Sequence, residues 1–470
     1  MSQFDLPTPD ETWSESALHS HQVMTKKLKE MSEQVELLTG LVDQLQRQLK
    51  LNSKTSSKPP SSDRERRIPK PKKKSGRAKG GQKGRKGSTR ILLEPHEVIQ
   101  CEPIDAQCDC GGSWVGRDRV RRLQVTELPE VQPVVTEYQE RCMSCERCGR
   151  KTYAGVQLPL GESRFGPRLH AFVVSLNLES RLSLRQIQRL LKQSFNLSIS
   201  VGAISDMIKR TAQYTQDAID ELRRWFQADS SPKHVDETGW RVHGERTQLI
   251  GSLSQAVALY QCSKLRKADD VRRLIGDDLS QLIICDRAFV YHPWKRRQLC
   301  WAHTLRDFHC FETYHRMKPQ AEALVKHAQR LFQLSQDHRL GRITTSDYVA
   351  SAAELRPVVK ALLNELSLLK VAEKPDGTVR NLLEHEAQLW TFLEHPMMSI
   401  HNNYQESALR PLVIKRKLSF GNDTAQGADR LAQLMSIIET LKRQGRDVCA
   451  WFINYFNGET ASLISSAATS

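Results

Sequence analysis

Nowhere in the 470 residues is there an apolar run long enough to cross a bilayer. The N-terminus also lacks the apolar core that a secretory signal needs. The two absences exclude a membrane-spanning class and lead to the expectation of a soluble, intracellular chain with no membrane partner. Acidic residues are too few to balance the basic ones, with 54 Asp and Glu against 70 Lys and Arg and a formal net charge of +16. A surplus of this size favours a polyanionic partner, nucleic acid or a charged surface. Cysteine is sparse outside one stretch. Of the eleven, Cys101, Cys108, Cys110, Cys142, Cys145 and Cys148 cluster and five are scattered. In a cytosolic chain such a cluster points to metal instead of disulfides. The length is too great for one ordinary domain, so several folded units are expected.

An unbroken heptad runs over residues 24–49. Leu28, Val35, Val42 and Leu49 share one position, and Met24, Met31, Leu38 and Leu45 the other. β-branched residues at the first position with Leu at the second favour a parallel two-helix seam, hence a homodimer or higher homo-oligomer. The same pattern also suits one amphipathic helix packing on its own chain. Residues 52–63 are polar and Pro-rich and cannot bury a core. From Asp63 to Arg90 there are 13 Lys and Arg against two acids, a net of +11 and most of the chain's surplus. This stretch is expected to be a disordered arm that neutralises DNA phosphates without reading sequence, through Lys72, Lys73, Lys74, Arg77, Lys83, Arg85 and Lys86.

Cys108-Asp109-Cys110-Gly111-Gly112 and Cys145-Glu146-Arg147-Cys148-Gly149 have the form of two metal knuckles, each placing two thiolates on a tight turn. Cys108, Cys110, Cys145 and Cys148 would make a four-thiolate set, which suits structural Zn²⁺. The first knuckle has a one-residue gap and the second the usual two, and Cys142 could supplement a ligand. Val125 to Tyr138 alternates as a small ribbon would. Beyond it, Ser183 and Ser200 can each cap a short helix. Leu184, Ile187, Leu190 and Leu191 share a face of the first, and Val201, Ile204 and Ile208 face inward from the second. The pair resembles a helix-turn-helix, although a generic helix pair reads the same way.

Three acids stand in marked settings. Asp236 lies in Lys233-His234-Val235-Asp236-Glu237-Thr238-Gly239-Trp240, read as a buried strand, an acidic pair and a Gly turn into a second strand. Asp286 ends the apolar run Leu282–Cys285. Three meandering strands (continuing through Thr247–Leu253 and Ala256–Cys262), a helix over Ala268–Gly276 and a buried parallel strand predict a ribonuclease-H-like α/β core. There Asp236 and Asp286 end adjacent strands. Paired carboxylates without His or Cys suit hard Mg²⁺ or Mn²⁺. Two such ions about 4 Å apart can activate a water or 3′-hydroxyl and stabilise the leaving oxygen of a phosphodiester. The third carboxylate is Glu406, on a helix starting near Asn402 or Asn403, or one of Glu237, Glu394 and Glu439. Arg410, Lys415, Arg416 and Lys417 follow Glu406 and are candidates to clamp DNA phosphates. Cys300 and His303 read equally as a metal fragment, a DNA-positioning pair or core residues beside Trp301.

V-D-E-T-G-W-R-V (235–242), Q-L-C-W-A-H-T-L-R-D-F (298–308), N-N-Y-Q-E-S-A-L-R-P-L-V-I-K-R-K (402–417), N-S-K-T-S-S-K-P-P-S-S-D (52–63), G-G-Q-K-G-R-K-G (80–87) and the Cys pairs resemble, in this order apart from the arm, transposases of the insertion sequence 66 family. The resemblance implies an Asp-Asp-Glu triad of Asp236, Asp286 and Glu406 on a ribonuclease-H-like fold, holding Mg²⁺ or Mn²⁺. It settles Glu406 over its rivals. The implied activity is binding of double-stranded element ends, hydrolysis to free a 3′-hydroxyl, and strand transfer into target DNA, with accessory transposition proteins among the expected partners. A bacterial cytoplasmic, nucleoid-associated location follows. The alternatives are a catalytically decayed DNA-binding regulator, or a nuclease that cuts without joining. Here His401 stands where the family often has Asp, and Leu418-Ser419-Phe420 follow where it often has Trp.

The expected order is a coiled-coil helix over 1–51, the basic linker over 52–92, a zinc module over 93–158, and a helix-turn-helix-like region over 159–229. The catalytic core follows over 230–303, then a helical insertion over 304–400, then the catalytic and C-terminal helices over 401–470. The whole is a multidomain α/β protein.

Overall fold

The computed structural model describes residues 13–50, 91–101, 108–115, 120–153, 155–158, 160–459 and 462–464, with the backbone alone at residue 32 and at 35–50. The arm residues Lys72, Lys73, Lys74, Arg77, Lys83, Arg85 and Lys86 therefore lie outside the described residues, as do the heptad side chains from Val35 to Leu49. The heptad stretch itself falls within one 36-residue helix, α1 (Glu15–Lys50). No helix among the described residues is long and apolar enough to cross a membrane.

The chain divides into two units, one of residues 65–139 and 188–199, the other of the remainder. In the first, the described part of 91–139 forms no strand. Val125–Tyr138, where alternation predicts a ribbon, is irregular extended chain with Val125 and Val134 each 95% exposed. Alternation alone does not make a strand when no second strand supplies hydrogen bonds. The chain is instead tied by its backbone at Leu93, which donates to Gln124 Oε1 at 2.9 Å and accepts from Gln124 Nε2 at 2.6 Å.

The larger unit contains α1 and resumes with a short antiparallel ribbon, β1 (Cys142–Ser144) and β2 (Lys151–Tyr153), closed around the second cysteine turn. Helices α2 (Pro167–Leu178), α3 (Leu184–Phe195, continuing into the first unit), α4 (Val201–Tyr214) and α5 (Gln216–Ala228) follow. The expected caps are present. Gln186 N donates to Ser183 Oγ at 3.3 Å while Ser183 N donates back to Gln186 Oε1 at 2.8 Å, a reciprocal box. Ala203 N donates to Ser200 Oγ at 3.1 Å.

A five-stranded mixed sheet comes next. β3 (Lys233–Val242), β4 (Glu245–Leu253) and β5 (Ala258–Ser263) form an antiparallel meander, then α6 (Ala268–Ile275) crosses to β6 (Ile283–Cys285) and β7 (Arg297–Leu299), both parallel. The order is β5-β4-β3-β6-β7. Ile283, Ile284 and Cys285 are all buried, as a parallel strand covered on both faces requires. Two features differ from the sequence reading. Gly239 is not a turn: β3 runs through it, and the reversal falls at His243 and Gly244, which take φ of 51° and 78°. β7 has no counterpart in the apolar pattern because two of its three residues are polar, although all three are buried.

Both sheet edges are covered by side chains. Helices α7 (Trp301–Phe311), α8 (Lys318–Arg339), α9 (Thr345–Leu369), α10 (Glu373–Glu384) and α11 (Glu386–Leu389) make up the long stretch after β7. Beyond them, Thr391 donates to the Arg297 carbonyl at 2.6 Å and Phe392 N to Gln298 Oε1 at 2.9 Å. α12 (Asn403–Ser419), α13 (Ala425–Arg443) and α14 (Val448–Phe456) complete the fold. On the β5 edge, α13 turns Ser436 and Thr440 to the strand. Tyr260 N donates to Ser436 Oγ at 2.9 Å and Ala258 N to Thr440 Oγ1 at 3.0 Å. Leu431, Leu434, Met435 and Ile438 of the same helix are buried, as their spacing predicts.

Lys233 opens β3 with its side chain fully buried, donating to the Ile275 carbonyl at 3.3 Å and lying 5.0 Å over the Phe226 ring. Burial pushes its ammonium from 10.5 down to about 8, against the pull of Asp229 and Asp278. Above pH 8 the unfolded chain holds this proton and the folded chain releases it, so the group's contribution to stability rises with pH. Measured by urea unfolding, the parent protein should therefore gain on a Lys233→Met variant by about 1–2 kcal/mol between pH 8 and 9.5. A difference that does not change with pH would refute the buried ammonium.

Candidate active site

Parallel pairing of β3 with β6 sets Lys233 beside Ile283 and His234 beside Ile284. The same offset brings Asp236 level with Asp286, which directly follows β6. Asp236 is the fourth residue of β3 and not its end, since the strand continues to Val242. Each carboxylate is oriented by backbone: Glu237 N donates to Asp236 Oδ1 at 2.9 Å, and Ala288 N to Asp286 Oδ1 at 2.8 Å.

Glu406 arrives on α12, which is fastened along β3 at three levels. At its start, buried Asn402 donates to the Val235 carbonyl at 2.8 Å, meets His234 Nδ1 at 2.9 Å through Oδ1, and donates its own N–H to Cys300 Sγ at 3.1 Å. Further along, Arg416 donates to Thr238 Oγ1 at 3.1 Å and to the Gly239 carbonyl. Past its end, Trp240 Nε1 donates to Asn422 Oδ1 at 3.0 Å, and Asn422 N and O pair with Arg241 O and His243 N at 3.0 and 2.9 Å. Two glycines permit this approach. A Cβ on Gly251 would lie 2.3 Å from Gln405 Nε2, and one on Gly421, whose φ is 123°, 2.2 Å from the Arg241 carbonyl oxygen.

The acids act on one another electrostatically. Asp236 is raised well above the carboxylate range by burial first, then by the charges of Glu237, Asp286 and, more weakly, Glu406. Glu237 is raised by burial and Asp286, opposed by Tyr291 and Arg266. Arg266 pairs with Glu237 and lies 3.9 Å from Asp286 Oδ2. The Tyr291 hydroxyl donates to Glu237. His303 Nε2 lies 3.8 Å from Glu406 Oε1, and burial lowers its pKa, so it brings little positive charge. As they stand, no three His, Cys, Asp or Glu side chains among the described residues are gathered closely enough to hold an ion. The donor chemistry nonetheless suits a hard divalent cation: the facing groups are carboxylate oxygens, and Asp236 is destabilised for want of positive charge. Glu237, Arg266, Tyr291, Asn402 and His303 thus join the three sequence candidates. Of these Glu237, His303 and Asn402 had a sequence signal, as a rival acid, in the Cys300–His303 motif and at the expected start of the Glu406 helix, and Arg266 and Tyr291 had none. Cys300 and Trp301 are buried, with Trp301 Nε1 donating to the Leu389 carbonyl at 2.8 Å. Glu394 and Glu439 do not appear among the charges acting on Asp236.

The basic residues of α12 separate. Lys415 turns inward, donating to Asn177 O and Oδ1 at 3.0 and 3.1 Å, and burial lowers it to about 8. Arg416 is committed to β3, while Arg410 and Lys417 are exposed. Each cysteine pair forms its own tight turn. In the smaller unit Cys108 and Cys110 have sulfurs 3.4 Å apart, with Gly111 at φ 82°. In the larger, Gly149 N donates to the Cys145 carbonyl at 2.8 Å. Backbone donors, from Gly112 at Cys110 and from Cys148 and Arg147 at Cys145, lower both thiols toward the thiolate.

Replacing Asn402 by Ala strands the Val235 carbonyl and frees the start of α12. Urea unfolding of Asn402→Ala should show a loss of roughly 1–3 kcal/mol. A parent-like stability would mean that the helix is held elsewhere.

The model of the transposase IS66 family matches residues 162–430, more than half of the chain, and a family of unknown function (DUF6444) matches residues 8–91. The chain is also 24% identical over 408 residues to the uncharacterized protein y4qI of Sinorhizobium fredii (strain NBRC 101917 / NGR234), covering 78% of this chain and 72% of that one. The matched span takes in β3, β6 and α12 with all three acids, and on this match the chain belongs to the IS66 family of transposases.

Proposed function

We propose that the chain cuts and joins DNA at a ribonuclease-H-like site formed by Asp236, Asp286 and Glu406. The observation that carries this reading is the parallel register that sets Asp236 level with Asp286, with the Glu406 helix fastened to the same strand. The meander-helix-parallel order of the sheet supports the fold assignment. The three carboxylates would hold Mg²⁺ or Mn²⁺, which when bound supplies Lewis acidity to the phosphodiester and lowers the pKa of an attacking water or 3′-hydroxyl. Backbone bonds from Glu237 and Ala288 fix the carboxylates in place, and α12 sets the third against them. Exposed Arg410 and Lys417 take phosphates beside the site, while Lys415 and Arg416 position the helix that carries them.

The remaining parts bring DNA and a second subunit to this site. The heptad of α1, where Met24 and Met31 are 57% and 60% exposed, is the seam of a homodimer or higher oligomer. The basic arm contacts phosphates, and α3 with α4 serves as a helix-turn-helix on double-stranded element ends. Cys108 and Cys110 on one turn, and Cys145 and Cys148 on the other, are the proposed ligands of structural Zn²⁺, the thiols of Cys110 and Cys145 being lowered toward the thiolate. Accessory transposition proteins belong to the same picture.

Two measurements test these assignments. With pre-cleaved ends of the DNA flanking the gene and Mg²⁺ or Mn²⁺, wild type should join strands. Asp236→Ala and Glu406→Ala should each lose at least about 10³-fold in rate, the scale on which removal of a principal electrostatic group is felt. Joining that survives in either variant removes that acid from the triad. DNA binding without joining by wild type favours a decayed regulator. Separately, metal analysis of purified protein should find zinc, lost together with the fold of the module in Cys145→Ser. Protein without zinc sinks that assignment.

A further inference from the structure

A cavity of about 750 Å³ opens beside the start of β3, between it and the start of α12. His234, two residues before Asp236 and on the same face of the strand, lines it, as do His401 and Tyr404, just ahead of Glu406. Its walls are ring faces. Phe332 of α8 and His401 stand 6.1 Å apart and 29° from parallel, His401 and Tyr404 6.2 Å and 25°, and the His234 ring leans on Tyr404 at 5.6 Å. Arg339, the last residue of α8, and Arg443, the last of α13, supply positive charge, and no Asp or Glu lines the space. Two donors are unspent. The Oγ of Ser254, a residue only 4% exposed, and the buried Nε of Arg443 have no hydrogen-bond partner among the described residues.

Flat rings, two guanidiniums, unspent donors and no carboxylate describe a site for a π-system carrying a phosphate. The volume is in the range of small-ligand pockets. Bases stack on such rings whatever their sequence, and Arg serves both phosphate and ring face. We propose that this cavity receives an unpaired nucleotide of the DNA strand adjoining the reacting phosphate, its base against Tyr404, His401 and Phe332 and its phosphate toward Arg339 and Arg443. The proposal rests on the reading of the chain as a DNA-cutting transposase and adds to it a place for a base taken out of the duplex.

The test uses the full chain and two probes, a blunt duplex of the flanking DNA and the same duplex with a short single-stranded 3′ tail. In the tail, 5-iodouracil is placed at one position at a time. After irradiation, tail adducts should map to the peptides bearing Phe332 or Tyr404. Tyr404→Ala should reduce the preference for tailed over blunt duplex by roughly fivefold or more. Tyr404→Phe, which keeps the ring, should retain that preference and so separates stacking from misfolding. Adducts mapping only outside the cavity, or an unchanged preference in Tyr404→Ala, would overturn the pocket and leave the transposase reading intact. Failure of the parent chain to bind either probe would overturn both.

Discussion

The attachment of α12 to β3 is the constraint on which the site depends. A carboxylate on a helix and another on a strand are brought together by sequence positions 170 residues apart, 236 and 406, so nothing local can hold them. Three separate contacts do so: the Asn402 amide at the start, the Arg416 guanidinium in the middle, and the Asn422 backbone and side chain past the end. All of them reach the same strand, from Val235 to His243. Where helix and sheet come closest, Gly251 and Gly421 leave out the side chains that would push them apart.

How much of this could be read in the sequence depended on whether a local pattern carried it. The meander, the crossover helix and the buried strand ending at Asp286 show in apolar runs, and the helix caps at Ser183 and Ser200 in residue type. β7 does not show, because Arg297 and Gln298 interrupt the apolar pattern although both are buried, the Gln298 amide being satisfied by the Leu389 carbonyl and Phe392 N. The Gly239 turn was misplaced for a similar reason. Glycine there makes room for Arg416, whose guanidinium would lie 3.4 Å from a Cβ, and the positive φ angles belong to His243 and Gly244. The acids Asp236 and Asp286 stood out by position. Arg266 and Tyr291 had no such mark, since their importance comes from what faces them across the fold. Likewise Lys415 and Arg416 look like the rest of a basic run, and what sets them apart from exposed Arg410 and Lys417 is their partial burial against Asn177 and β3.

The charges of the site are unevenly paired. Glu237 has Arg266 and Tyr291, whereas Asp236 has a single backbone donor and three acidic neighbours. The imbalance is therefore concentrated on one carboxylate at the centre of the group. A cation approaching the cluster meets Arg266 as a competitor near Glu237 and Asp286, and meets no such competitor at Asp236.

The two edges of the sheet are closed in the same manner, with side-chain hydroxyls bonding to backbone groups of the edge strands. Ser436 and Thr440 do this for β5, and Thr391 for β7. An unsealed edge is a template for another chain. With side-chain donors and acceptors seated on both rims, pairing of one copy's sheet with another's is disfavoured at the groups they occupy.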